Sequence, residues 1–217
     1  MDSELGTMAK KARDAWQKLY SKHGMQYGGS GEVSMLSPHL DPGMLVLDAG
    51  CGDGKTTEAL LKRCEVIGCD FSKEALLSLR SMRDVGRSVN LVECELSYLP
   101  FESERFDAIC CVHALSHMVK SERITAARDI SRVLRPKGHL FLEVFGVGDL
   151  RYGEGEETES ASFLRGNGIL THYFQEGELG RLFEALVVVH ESRISKRVTY
   201  GATAGRRETL RALLSKV

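Results

Sequence analysis

The sequence contains no Cys-x-x-Cys pair, although six cysteines are present: Cys51, Cys64, Cys69, Cys94, Cys110 and Cys111. A zinc cage is therefore not expected and no metal site is assigned. Most of these thiols lie in or beside apolar runs, where free cysteine behaves as a small hydrophobe. A reducing, cytoplasmic setting is the simplest expectation. No apolar run approaches membrane-spanning length, and the opening "MDSELGTMAKKARD" has no apolar signal core, so no membrane partner is expected. Low-complexity linkers and shifts in composition are also missing, which leads to the expectation of one domain over residues 1–217. The formal net charge of −1 gives the chain as a whole no reason to seek a polyanion. Met8 leaves open that residues 1–7 are a cloning remnant.

Charge is nevertheless uneven. Arg193, Lys196, Arg197, Arg206, Arg207, Arg211 and Lys216 face one acid, Glu208, in the last stretch, whereas Glu154, Glu156, Glu157 and Glu159 stand together without a base. Both runs read first as solvated faces, and the former second as a local basic edge.

Hydrophobic periodicity orders the rest. Ala9, Ala12, Trp16, Leu19 and Tyr20 recur at spacings of three and four, an amphipathic helix with a basic outer face. "MLVLDAG", "CEVIGCD", "VNLVEC", "FDAICCVHAL" and "HLFLEVFG" read as strands. Helical "KTTEALLKR", "SKEALLSLRSMR" and "SERITAARDISRVLRPKG" lie between them, Ser72 capping the second and Ile124, Ala127, Ile130 and Leu134 facing inward on the third. Strands alternating with helices predict a doubly wound α/β sheet. "GVGDLRYGEGEETESAS" reads as a long polar loop, "FLRGNGILTHYF" as a strand or hairpin, "EGELGRLFEAL" as a helix, "VVVHESRIS" as a strand and "RRETLRALLSKV" as a closing strand.

Between the first strand and its helix lies Gly50-Cys51-Gly52-Asp53-Gly54. Such a bend sits at the carboxyl edge of the sheet, where open α/β folds bind ligands. Asp70 follows about 20 residues later, the spacing at which a carboxylate accepts ribose hydroxyls. A dinucleotide site wants G-x-G-x-x-G, but Lys55 takes the place of the third glycine, which disfavours a nicotinamide-dependent oxidoreductase. A phosphate loop needs one more residue before "GKT" than "GCGDGKTT" supplies. Asp48 and Asp53 suit a ligand carrying an ammonium and a sulfonium better than one carrying phosphates.

"VLDAGCGDGKTT", "VIGCDFSKEAL", "LVECELSYLPFESERFDAICCVHALSHM" and "ISRVLRPKGHLFLEVF" resemble, in order and spacing, the successive motifs of class I S-adenosylmethionine-dependent methyltransferases. The resemblance implies a Rossmann-like seven-stranded sheet whose last strand is antiparallel. It divides the chain into an N-terminal helix and lid (1–40), a cofactor-binding core (41–145), an acceptor-side loop (146–175) and closing helix and strands (176–217). It implies S-adenosyl-L-methionine as cofactor and S-adenosyl-L-homocysteine as product. Asp48, Gly50, Cys51, Gly52 and Gly54 would shape the methionine end, and Asp70, with Ser72 beside it, would hold the ribose. Phe71, Glu95 and Leu96 would surround the adenine, Glu95 standing where the family more often has Asp, and Val112 would lie under the methyl group.

Methyl transfer needs an acceptor held in near-attack geometry away from bulk water, so the lack of an obvious catalytic dyad does not argue against catalysis. His113 is a candidate acceptor contact or base, with His117 at helical spacing after it. Trp16, Tyr20 and Tyr27 could cover the cofactor as a lid. "FLRGNGILTHYF" is similar to a segment of tellurite-resistance and tRNA 3-methylcytidine methyltransferases, which makes Arg165, His172 and Tyr173 candidate acceptor contacts. The expectation is a small-molecule acceptor, with RNA as the alternative and a non-catalytic cofactor-binding partner subunit as a further one. The oligomeric state is not readable from the sequence.

Overall fold

A computed structural model describes residues 2–23, 31, 33–82, 84–200 and 203–217; Tyr27 lies outside them. Helix α1 (Asp2–His23) is followed by strand β1 (Leu45–Ala49), helix α2 (Lys55–Leu61), β2 (Glu65–Asp70), α3 (Lys73–Ser81), α4 (Val85–Ser88), β3 (Asn90–Glu93) and β4 (Phe106–Val112). Then come α5 (Lys120–Val133), β5 (Leu134–Phe145), three short strands β6 (Glu156–Glu159), β7 (Ser162–Leu164) and β8 (Leu170–His172), α6 (Glu178–Leu182), β9 (Val187–Tyr200) and β10 (Thr203–Ser215). The seven-stranded sheet runs β3-β2-β1-β4-β5-β10-β9, and β10, the last strand in the chain, is antiparallel to both neighbours. The expected doubly wound sheet with an antiparallel last strand is thus what forms.

Side chains alternate across the sheet with a period of two, so each strand feeds both layers. Leu140, Leu142 and Val144 of β5, with Leu210, Ala212 and Leu214 of β10, join Phe106, Ile130 and Phe183 in one buried core. Phe141 and Leu213 point the other way, into a second core with Val46, Leu60, Val66 and Leu79. Further along that second face the same alternation changes character. Phe141 is followed by Glu143 and Phe145, and Leu213 is preceded by Arg211, Thr209 and Arg207, paired through the register Arg211↔Glu143 and Thr209↔Phe145. The apolar half lies under the helical layer; the polar half opens into a cleft lined by these residues.

Three local expectations need correction. Helix α5 ends at Val133, so Leu134, expected on that helix, opens β5 instead. On α5 the buried residue is Arg123, 4% exposed, while Ile124 is 37% exposed. Arg123 goes inward because its guanidinium donates to the Met118 carbonyl at 2.6 Å and lies 5.9 Å from the Phe174 ring centroid, with Glu159 at 3.7 Å. Arginine is almost never buried unless its head group is paired in this way. The stretch after Phe145 is also only partly loop. β6, β7 and β8 form an antiparallel sheet, pinned by His172, whose ring nitrogens lie 2.8 Å from Ser162 Oγ and 2.8 Å from Glu178 Oε1.

Behind the bend, Thr57 of α2 donates its hydroxyl to Asp48 Oδ2 at 2.6 Å, clamping helix to strand. Burial pushes the Asp48 carboxyl up to about 7, against the pull of that hydrogen bond. Gly54 opens α2 at φ +93, and a Cβ there would clash with Leu79 Cδ1.

Gly54→Ala is expected to lose about 1–3 kcal/mol through overpacking together with backbone strain. Gly43→Ala, at φ +88 with nothing within 4 Å, carries the backbone cost alone. Equal urea midpoints for the two variants would contradict the packing argument. For Asp48 the native state holds a proton that the unfolded chain releases near 3.8, so this contribution is present at low pH and lost as pH rises towards about 7. Asp48→Asn cannot ionise; its stability relative to wild type should climb between about pH 4 and 7 and level off above, as measured by denaturant melts. A pH-independent difference would refute the raised carboxyl.

Candidate active site

The bend after β1 is fixed by backbone before any side chain is considered. The Gly50 and Cys51 amides donate to the Cys69 carbonyl at 2.8 and 2.9 Å, holding the bend against the end of β2. Gly52 N–H then donates to Asp70 Oδ2 at 2.9 Å, and Ser72 N–H donates to Asp70 Oδ1 at 2.9 Å. Asp70 is thus aimed by two amides, one from the bend and one from the start of α3. The Ser72 hydroxyl in turn caps α3, accepting from Ala75 N–H at 3.2 Å. Burial pushes the Asp70 carboxyl up to about 6, the two amides pulling the other way. Gly52 has φ +52, and a Cβ there would meet the Tyr20 hydroxyl oxygen at 2.7 Å. A side chain there would strain the backbone and displace the Tyr20 ring.

These groups line one half of a cleft of about 680 Å³. Gly50, Cys51, Gly52, Asp70, Phe71, Glu95, Leu96, Val112 and His113 all reach its surface. Asp48, Gly54 and Ser72 stand behind the wall and shape it from there. The α1 face carrying Ala9, Arg13, Trp16 and Tyr20 covers the cleft, its outer residues held by Arg13, which pairs with Glu122 at 2.8 Å and Glu95 at 3.6 Å. Trp16 Nε1 is buried without a hydrogen-bond partner among the described residues.

The other half is built on β4, β5, β9 and β10. His113 follows β4 with φ 61, and its amide donates to the Glu143 carbonyl at 2.6 Å. Its ring stacks on Phe145, with centroids 4.3 Å apart and planes within 10°. Nε2 faces Glu143 Oε1 at 3.5 Å, and the other oxygen of Glu143 accepts from Arg211 Nε at 2.7 Å. Nδ1 is buried and has no partner among the described residues. Burial, and then His117, Arg207, Lys55 and Arg211, push the His113 imidazole down to about 3. His117 is held down to about 4 by burial; its Nδ1 donates to the Leu170 carbonyl at 2.8 Å, and its ring meets Trp16 edge-on at 4.7 Å. Both histidines are therefore neutral at pH 7.

Arg165, His172 and Tyr173 stand outside the cleft lining. Tyr173 is buried with its ring centroid 6.3 Å from that of Phe145, and burial pushes its hydroxyl up to about 12. Arg165 is near enough to lower the His117 imidazole by charge. The sequence reading did not single out Lys55, Glu143, Phe145, Ile194 or Thr209 for the cleft. Nor did it place Lys196, Arg207 and Arg211 there, treating them as part of a basic tail. The signal was present as alternation: Arg207, Thr209 and Arg211 occupy every second position of a strand, and so share one face.

A family model described as a methyltransferase domain matches residues 46–138. The tRNA N(3)-methylcytidine methyltransferase of Drosophila melanogaster is 28% identical over 174 residues, covering 74% of this chain and 54% of that protein, so the chain spans about half the relative's length. An S-adenosylmethionine-dependent methyltransferase from Methanosarcina mazei shares the fold at TM-score 0.72 and 21% identity, over 86% of this chain and 98% of its own. The 1,6-didemethyltoxoflavin-N1-methyltransferase of Burkholderia thailandensis, solved with 1,6-didemethyltoxoflavin and S-adenosylhomocysteine, gives TM-score 0.62 at 25% identity, over 99% and 86%. The matched residues are the strands and bends that build the acidic half of the cleft; residues 46–138 match a methyltransferase domain, in a chain with the fold of S-adenosylmethionine-dependent methyltransferases.

Proposed function

We propose that this chain transfers a methyl group from S-adenosylmethionine to a ring nitrogen of a small planar acceptor lying beside the His113–Phe145 pair. The observation that carries this reading is the continuity of the cleft. One covered space runs from Asp70 and the glycine bend to the stacked rings of His113 and Phe145. A cleft of about 680 Å³ lies within the range of small-molecule sites.

The residues present fit the cofactor. Its half of the cleft displays Asp53, Asp70, Glu95 and Glu122 against one cation, Arg13, which suits a ligand with two positive centres. Trp16 Nε1 offers an unused donor there. Asp70 oxygens that already accept one amide each keep lone pairs for ribose hydroxyls. Phe71 and Leu96 flank the adenine, Glu95 stands at its amino edge, Cys51 with the bend lines the amino-acid end, and Val112 lies under the reacting centre. Asp48, Gly54 and Ser72 hold that wall in shape. When bound, the cofactor supplies an electrophilic methyl group on a sulfonium.

The chain's remaining work is positioning. An imidazole that protonates only near 3 is a poor proton carrier at neutral pH but a sound hydrogen-bond acceptor. His113, stacked on Phe145 and with Nε2 facing Glu143, lines the acceptor side of the cleft and orients the acceptor ring by contact. Arg165, His172 and Tyr173 act through others: His172 ties down the β7–β8 hairpin, Tyr173 backs Phe145, and the charge of Arg165 adds to the burial that keeps His117 neutral. The ring-nitrogen assignment is supported by two relatives, one named for N(3) of cytidine in tRNA and one for N1 of 1,6-didemethyltoxoflavin. The tRNA relative also keeps RNA as the second reading.

Asp70→Ala is expected to weaken S-adenosylhomocysteine binding by about 1–3 kcal/mol through lost charged hydrogen bonds. Wild-type affinity should also fall as pH drops through about 6, where Asp70 takes up a proton; calorimetry at several pH values checks both, and an unchanged Asp70→Ala affinity would misplace the ribose. His113→Leu should retain cofactor affinity while turnover drops at least tenfold, and full turnover would remove His113 from the site. Acceptor class is decided by transfer of a tritiated methyl group into cell extract. Label that passes a small-pore filter and resists RNase is expected, whereas RNase-sensitive label would replace the small molecule with RNA.

A further inference from the structure

The cleft is electrically polarised along its length. Its cofactor half sets four carboxylates against Arg13, whereas its β9–β10 side sets Lys196, Arg207 and Arg211 against Glu143 and, behind Arg207, Asp149. Lys55, just after the bend, is near enough to His113 to lower its imidazole by charge. The arginines are fixed in place. Arg207 Nε lies 3.1 Å from Asp149 Oδ2, with its guanidinium carbon 4.9 Å from the Phe145 ring centroid, and Arg211 is held by Glu143. Lys196 pairs with Arg207 in the β9–β10 register, so both side chains share the cleft face. No carboxylate is paired with Lys55 or Lys196 among the described residues. Planar guanidiniums whose orientation is already set lose little freedom on gripping an oxyanion.

We infer that the methyl acceptor is a small ring compound carrying a carboxylate or phosphate, its charge held on the β9–β10 face by Arg207 and Lys196 with Lys55 across the cleft. This rests on the cleft being the methyl-transfer site and adds the acceptor's charge. The two arginines favour a small anion over a nucleic-acid backbone because they face inward. The Arg207 and Arg211 side chains are 18% and 11% exposed on the wall of the cleft, whereas a passing phosphate backbone is met by cations displayed on an open surface. Charge also recommends the arrangement. An anionic acceptor is drawn to the basic end and away from the acidic one, which orders the two ligands in a single channel.

Calorimetry on the full chain saturated with S-adenosylhomocysteine tests the inference, using nicotinate, orotate and benzoate against their neutral counterparts nicotinamide, uracil and benzamide, with phenyl phosphate against phenol for the other anion. At least one anionic ring should bind tenfold or more tightly than its neutral partner. That ratio should collapse in Arg207→Gln and fall several-fold in Lys196→Glu, an exposed strand position chosen so that folding is not in question. S-adenosylhomocysteine affinity should stay unchanged in both variants. Equal binding of every pair, no binding of any anion, or discrimination that survives both substitutions overturns the inference. A cytidine-containing RNA hairpin that binds more tightly than all the rings and loses affinity in Lys196→Glu overturns it in favour of a nucleic acid. Loss of S-adenosylhomocysteine binding by the wild-type chain would instead sink the methyltransferase site itself.

Discussion

The hydrogen bond from Gly52 N–H to the Asp70 carboxylate ties the bend after β1 to the end of β2, and the rest of the site depends on it. It brings the two segments within 2.9 Å, aims the carboxylate into the cleft, and spends an amide that would otherwise be orphaned at a buried turn. The bend can approach this closely because Gly52 carries no side chain; the space a Cβ would take is filled by the Tyr20 hydroxyl from the covering helix. Strand, bend, carboxylate and lid are therefore one mutually dependent arrangement, and each presupposes glycine at that position.

The same sheet then supplies the second half of the site by a change of composition within unchanged periodicity. On β5 and β10 one face reads Phe141, Glu143, Phe145 and Leu213, Arg211, Thr209, Arg207. Where the residues are apolar, helices cover them; where they become polar, a cleft opens. Acidic and basic ends follow from which strands contribute. The bend, β2 and β3 bring carboxylates, and β9 and β10 bring cations. His113 sits at the junction, its imidazole kept neutral by burial and by the cations on its far side.

Much of this was legible in the residues. The period-two runs gave the strands, and Ser72 announced the α3 cap. Glycine and aspartate at the right interval placed Asp70 beside the bend, a relation that depends only on chain geometry near one crossover. Features that depend on contacts between distant segments were harder to read. Ile124 and Arg123 are adjacent on α5, and local periodicity favours the isoleucine as the buried one. The choice is reversed by a carbonyl, a ring and a carboxylate contributed by Met118, Phe174 and Glu159. The polar run before Ser160 resembled a loop because its strands are short and their pairing is with one another. The basic tail resembled a solvated face because nothing local says that every second residue of β10 looks into a cleft.

The central claim is that this bend and carboxylate hold a sulfonium nucleoside, not a dinucleotide. Calorimetric titration of the wild-type chain with S-adenosylhomocysteine and, separately, with NAD tests it most directly. The account predicts saturable one-to-one binding of the former and no heat from the latter; NAD binding without S-adenosylhomocysteine binding would contradict it.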